Sequence, residues 1–220
     1  VSPPVGPTGL ALECGAATGA DQGGPRRFRA GADVGGARTT IVFTGGHDVG
    51  LQQLTTVARL ELLVQPRMTV FAGGGAVVSG TATVDGTDFH VQPGWVVTAG
   101  ASFLALTETA RRPFVMATAV LGYAATHTRQ SDADPEVAWR EGDARIGVAV
   151  GKSFGPARPY LVARAFGGPV TWTLNGQSIN GTDQHHYQLG AGAAFDLPGH
   201  FDVDIEAVPL GEQGLVFGAG

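Results

Sequence analysis

The residues whose types and spacing lend themselves to chemistry are charged side chains set two apart. Glu141, Asp143 and Arg145 form one such series, Asp202, Asp204 and Glu206 a second, and Arg59 and Glu61 a third, with Arg164, His186 and Asp196 in similar settings. A spacing of two places side chains on one face of a strand. Confined together, guanidinium groups and carboxylates satisfy one another through charge-assisted hydrogen bonds, while surplus carboxylates take up protons or attract cations. Acidic members outnumber basic ones in this set. Two outcomes follow: an ion-pair network that braces an interior, or a narrow passage that favours cations.

Other chemistry is thinly represented. His185 and His186 are neighbours, and neighbours on a strand point to opposite faces, so one metal ion cannot easily use both. Gly73-Gly74-Gly75 lacks the lysine and helix of a phosphate loop, and as part of a strand it allows close backbone approach. Gly167-Gly168-Pro169 reads as a bulge. Cys14 is the single cysteine, which excludes an internal disulfide and a multi-cysteine metal site. With 14 Lys+Arg against 19 Asp+Glu and a net charge of −5, there is no basic field for nucleic acid. No catalytic residue, metal ligand or cofactor is assigned, and the expectation is that the chain is not an enzyme.

The charged series must be positioned by strands. Helical periodicity is absent, and from Phe28 onward period-2 runs alternate with turn chemistry over 28–45, 52–64, 68–84, 89–107, 113–129, 137–153, 157–174, 184–197, 200–209 and 213–220. Phe201, Val203, Ile205 and Ala207 oppose Asp202, Asp204 and Glu206, while Leu54, Ala58, Leu60, Leu62 and Val64 oppose Gln53, Thr55, Arg59 and Glu61. Ala144, Ile146, Val148 and Val150 face away from Glu141, Asp143 and Arg145. Residues 1–27, rich in Gly and Pro, read as a flexible tail or plug ahead of a barrel over 28–220. The alternation alone suits an inward or an outward apolar face. Strand length separates them, because most runs exceed the ~5 to 6 residues usual in soluble sheets and reach the ~9 to 11 that cross a bilayer. Trp95, Trp139 and Tyr160, near strand ends, are expected in interfacial girdles. Tight links such as Gln65-Pro66-Arg67 alternate with longer polar ones, 130–136 and 175–184.

Long alternating strands with alternating short and long links resemble the small outer-membrane β-barrels of Gram-negative bacteria, in the broad sense that includes OmpA-, OmpX- and OmpW-type proteins. The resemblance covers 28–220 and is one of architecture. It implies an all-β, transmembrane, antiparallel up-and-down barrel of about ten strands in the outer membrane, with short turns toward the periplasm. Its implied partners are outer-membrane lipid and, through the tail and outer loops, other envelope proteins. The implied function is a structural or interaction component of the envelope, with a cation-favouring pore or a soluble lipocalin-like ligand-binding barrel as alternatives. The chain ends Val216-Phe217-Gly218-Ala219-Gly220, where the resemblance implies a terminal aromatic residue. Omptin proteases place acidic residues and a histidine near the outer rim of a ten-strand barrel, and Asp183, His185 and His186 fall there, but the linking loops are too short for an omptin-like cleft. Lipid A deacylases set a histidine and a serine two apart, whereas His127 is followed by Thr128 and Arg129.

Overall fold

A computed structural model describes residues 27–174, 176–198 and 201–220; the tail or plug expected over 1–27 lies almost wholly outside the described residues. The described chain is strand and turn throughout. In chain order the strands are β1 (Phe28–Phe43), β2 (His47–Gln65), β3 (Met68–Val84), β4 (Thr87–Val91), β5 (Gly94–Leu106), β6 (Phe114–Arg129) and β7 (Val137–Gly151). They continue as β8 (Ala157–Gly167), β9 (Val170–Leu174), β10 (Gln177–Asp183), β11 (Tyr187–Leu197), β12 (Phe201–Gly211) and β13 (Gln213–Ala219). All pairings are antiparallel and the sheet closes through β1 and β13.

Three long strands are broken part-way. β4 runs into β5 through Gln92 and Pro93, β8 into β9 through Gly168 and Pro169, and β10 into β11 through 184–186. Proline has no N–H for the ladder. At Gly168 a Cβ would collide with the Gly142 carbonyl oxygen, and at Gly75, in β3, with that of Thr56, so both glycines permit an approach that a side chain would block.

The breaks accompany a change in the size of the ring. At the end holding Phe28 and Ala219 the wall runs β1, β2, β3, β5, β6, β7, β8, β11, β12, β13, which is ten strands. The β12–β13 hairpin turns back at Gly211 and Glu212, where β13 faces Arg38. Beyond that level β10 pairs directly with β1, Ile41 opposite Asp183. The wall is then β1, β2, β3, β4, β6, β7, β9, β10, which is eight strands. The hairpin is a wedge that widens one end.

Most strand boundaries match the expected runs, but the second strand begins at His47 and not at 52, and the links do not alternate short and long: 44–46 and 85–86 on the outer side are tight, and 107–113 on the other side is as long as 130–136. The stretch 175–184 is no long polar loop but a tight turn followed by β10. Its outward residues, Ser178, Asn180 and Thr182, are polar, which gives the strand the composition of a loop.

Candidate functional site: a two-storey barrel interior

In the ten-stranded half the alternation turns small, aliphatic and phenylalanine side chains outward. Leu60 is 68% exposed and Ile146 66%, and Leu62, Val148, Leu189 and Ile205 share that outer surface. On β2 the outward series, apolar but for Thr56, runs from Leu54 to Val64, eleven residues and ten steps of strand. At ~3.3 Å per residue and a tilt of ~40° that spans roughly 25 Å, the height of a bilayer-facing band. Phe28, Phe103, Phe154, Phe195 and Phe201 are exposed along its lower edge, while Trp95, Tyr123 and Tyr187 mark its upper edge. The rings of Trp95 and Tyr123 pack at 5.5 Å.

The same half buries charge inside. Arg59 donates from Nε to Glu61 at 2.6 Å and also binds Asp33. Arg29 bonds Glu61 at 3.2 Å and Asp202, so β1, β2 and β12 are tied in one chain of ion pairs. Arg164 makes a two-pronged contact with Glu206 at 2.5 and 2.8 Å, and Glu206, 0% exposed, also accepts from the Tyr160 hydroxyl at 3.2 Å. Higher up, Arg145 donates to Asp143 at 2.7 Å and to Glu212 at 2.8 Å, with its guanidinium 4.5 Å from the centre of the Phe166 ring. Gln53 reaches across to Glu141 at 3.1 Å. Arg158 pairs with Asp196, whose side chain is half exposed at the lower rim. Asp204 is buried beside Asp33; its Oδ2 and Asp33 Oδ1 have no hydrogen-bond partner among the described residues. On the β5–β8 side the lower interior is apolar, with Leu104, Phe114, Met116, Ala149 and Val162 packed against Tyr160.

In the eight-stranded half the two faces exchange character. Ile41, Phe43, Val49, Leu51, Val77, Ala82, Val91 and Val170 point inward and are buried. Trp139 is 0% and Trp172 2% exposed. Phe43 lies 5.9 Å from Trp139 and 6.0 Å from Trp172, the two indoles are 5.4 Å apart, and Phe89 stacks edge-on against Trp172 at 5.1 Å. These rings come from β1, β4, β7 and β9, so the cluster bridges the lumen from wall to wall. The Trp172 indole N–H donates to Thr128 Oγ1 at 2.8 Å. An eight-stranded ring is just wide enough for side chains to fill. Outside, the same strands present Arg38, Thr40, Gln52, Thr81, Thr83, Asp88, His90, His127 and Arg140.

Several expectations change in this light. Trp139 and Tyr160 are not girdle residues: they share the inward parity of Glu141 and of Arg164, and only Trp95 of the three stands on the outer surface, at the upper edge of the apolar band. His186 is exposed, packed against Phe166 at the break between β10 and β11. Asp183 turns inward to accept from Thr39 at 3.1 Å, while His185 meets the Tyr187 ring edge-on, so these residues, expected at the outer rim, lie part-way up the wall and do not converge. Arg29, Asp33, Arg158 and Glu212 join the network without having been singled out. Arg29 and Asp33 were detectable, because they alternate with Phe28, Ala30, Ala32 and Val34. Glu212 sits in a turn, where alternation carries no information.

No known protein family matches the chain, and no curated protein does either. Among solved structures, the chain is similar to the outer membrane protease OmpT of Escherichia coli at 10% identity, covering 86% of this chain and 93% of that one with a TM-score of 0.46. It is also similar to the transport unit of the autotransporter AIDA-I of Escherichia coli at 9% identity, covering 94% of each chain with a TM-score of 0.45. The expectation that the chain is not an enzyme is corrected: the first of these similar structures is an outer membrane protease.

Proposed function

We propose that the chain is an outer-membrane barrel that crosses the bilayer with its ten-stranded half, carries its eight-stranded half into the water outside, and acts as a closed structural or interaction component of the envelope. The observation that supports this best is the exchange of faces at one level of the wall. Below it the surface is apolar and the interior charged; above it the surface is polar and the interior dry. A lipocalin-like barrel in water would keep the upper arrangement throughout, and Leu60, Ile146 and Leu161 would be inside. Phe28 and Ala219 lie at the ten-stranded end, which faces the periplasm in an even-stranded barrel of this class.

The cluster of Phe43, Phe89, Trp139 and Trp172 supports a closed lumen, since an apolar, filled constriction does not hydrate. A cation-favouring passage is the second reading, favoured by the carboxylates that outnumber arginines in the lower storey. Planar-bilayer recording separates them. The closed reading expects no stepwise conductance from the purified protein, whereas steady ohmic steps with cation selectivity would replace it with the second.

A further inference from the structure

We propose that the outer wall carries a binding site for a lipid headgroup bearing a phosphate monoester, placed where the surface turns from apolar to polar. The inference rests on the membrane-spanning reading above. An open groove of about 490 Å³ crosses β13, β1, β2 and β3 at that level. Register sets its upper lip: Gln213 faces Arg38, Arg38 faces Gln52, and Gln52 faces Thr81, so four outward polar side chains stand in one row across four strands. The row beneath is Leu215, Gly36 and Leu54. Gly36 brings no side chain, which leaves a trough between the two leucines.

The two rows ask for an amphipathic ligand. Arg38 is exposed and makes no ion pair among the described residues, whereas Arg29, Arg59, Arg145, Arg158 and Arg164 are all committed to carboxylates. Its neighbours in the row are neutral, so the site keeps a net positive charge. A guanidinium meets phosphate oxygens through two parallel N–H bonds, and carboxamides and a hydroxyl on either side can donate to the remaining oxygens or accept from headgroup hydroxyls. The acyl chain then runs down the trough over Gly36 into the apolar band. A free anion would use the upper row and gain nothing from the lower one, which is what separates a lipid from soluble phosphate.

The test uses the full chain in neutral detergent, titrated with short-chain phosphatidic acid, with phosphatidylcholine of the same chains, and with inorganic phosphate, binding being read by native mass spectrometry. One phosphatidic acid per barrel is expected, at least about tenfold tighter than phosphatidylcholine and not displaced by inorganic phosphate. Arg38→Gln and Gly36→Leu should each weaken it by about tenfold, the first by removing the charge and the second by filling the trough. Arg140→Gln, an exposed arginine on the outer face of β7, should leave it unchanged. Equal binding by Arg38→Gln and the parent overturns the site, as does an equal loss in Arg140→Gln, which would mean general surface charge. Displacement by inorganic phosphate would reassign it to a free anion. Failure of the membrane reading shows separately, as failure of every variant to insert into vesicles of phosphatidylcholine alone.

Discussion

The two halves of this barrel obey one alternation rule and reach opposite interiors. On β2, Val49 and Leu51 face the same way as Arg59 and Glu61, yet the first pair packs in an apolar core and the second in an ion-pair network. On the membrane-spanning reading proposed above, what differs is the medium outside the wall. Where lipid covers the surface, apolar residues gain by facing out, and charges are left to the lumen, where they stabilise only by pairing. Where water covers it, the hydrophobic effect again drives apolar side chains inward. The number of strands follows the same division: charged chains and their partners occupy the wider ring, and four aromatic rings close the narrower one.

The largest effect is expected from the upper storey. Trp172→Ala removes the ring that touches Phe43, Phe89 and Trp139 as well as a buried hydrogen bond, and should cost about 4 kcal/mol in urea unfolding of the protein refolded into vesicles. A loss below about 1 kcal/mol would mean the cluster is not a packed core. Next comes a charge moved along the outside. Val148→Arg, in the middle of the apolar band, should cost about 2 to 4 kcal/mol, and Thr81→Arg, above it, within about 0.5. Equal urea midpoints for the two variants would erase the distinction between the halves. A smaller loss than that of Val148→Arg belongs to the boundary between storeys. Glu141→Gln keeps the shape and still accepts from Gln53, so a loss of only about 1 kcal/mol is expected, and a loss as large as that of Val148→Arg would show that the charge of Glu141 holds the layer together.

Much of this was legible in the chain, for reasons tied to particular residues. The run 200–209 alternates without a break, so its faces follow directly: Asp202, Asp204 and Glu206 turn in, Phe201 and Ile205 out. Trp139 and Tyr160 were placed in a girdle because aromatic residues near strand ends serve girdles and cores alike. Parity was the deciding signal, since Trp139 keeps step with Glu141 and Arg145. The eight-stranded half was harder to read because a strand standing in water carries Ser178, Asn180 and Thr182 outward and imitates a loop. The fork at Glu212 left no local trace: it depends on β10 reaching β1, a pairing between residues about 140 apart. The Arg145–Glu212 bond that seals it follows from that closure.

The central claim is that one continuous strand passes from lipid into water. With Cys14→Ser as background, single cysteines along the outer face of β7, at 138, 140, 144, 146, 148 and 150, can carry a nitroxide label in vesicles. Collision rates with oxygen, which concentrates in the bilayer, and with a water-soluble nickel chelate report the surroundings of each. The account predicts that 144, 146, 148 and 150 favour oxygen and that 138 and 140 favour nickel, with the switch next to Gly142. Nickel accessibility at all six positions would contradict it, and so would oxygen dominance that continues through 138.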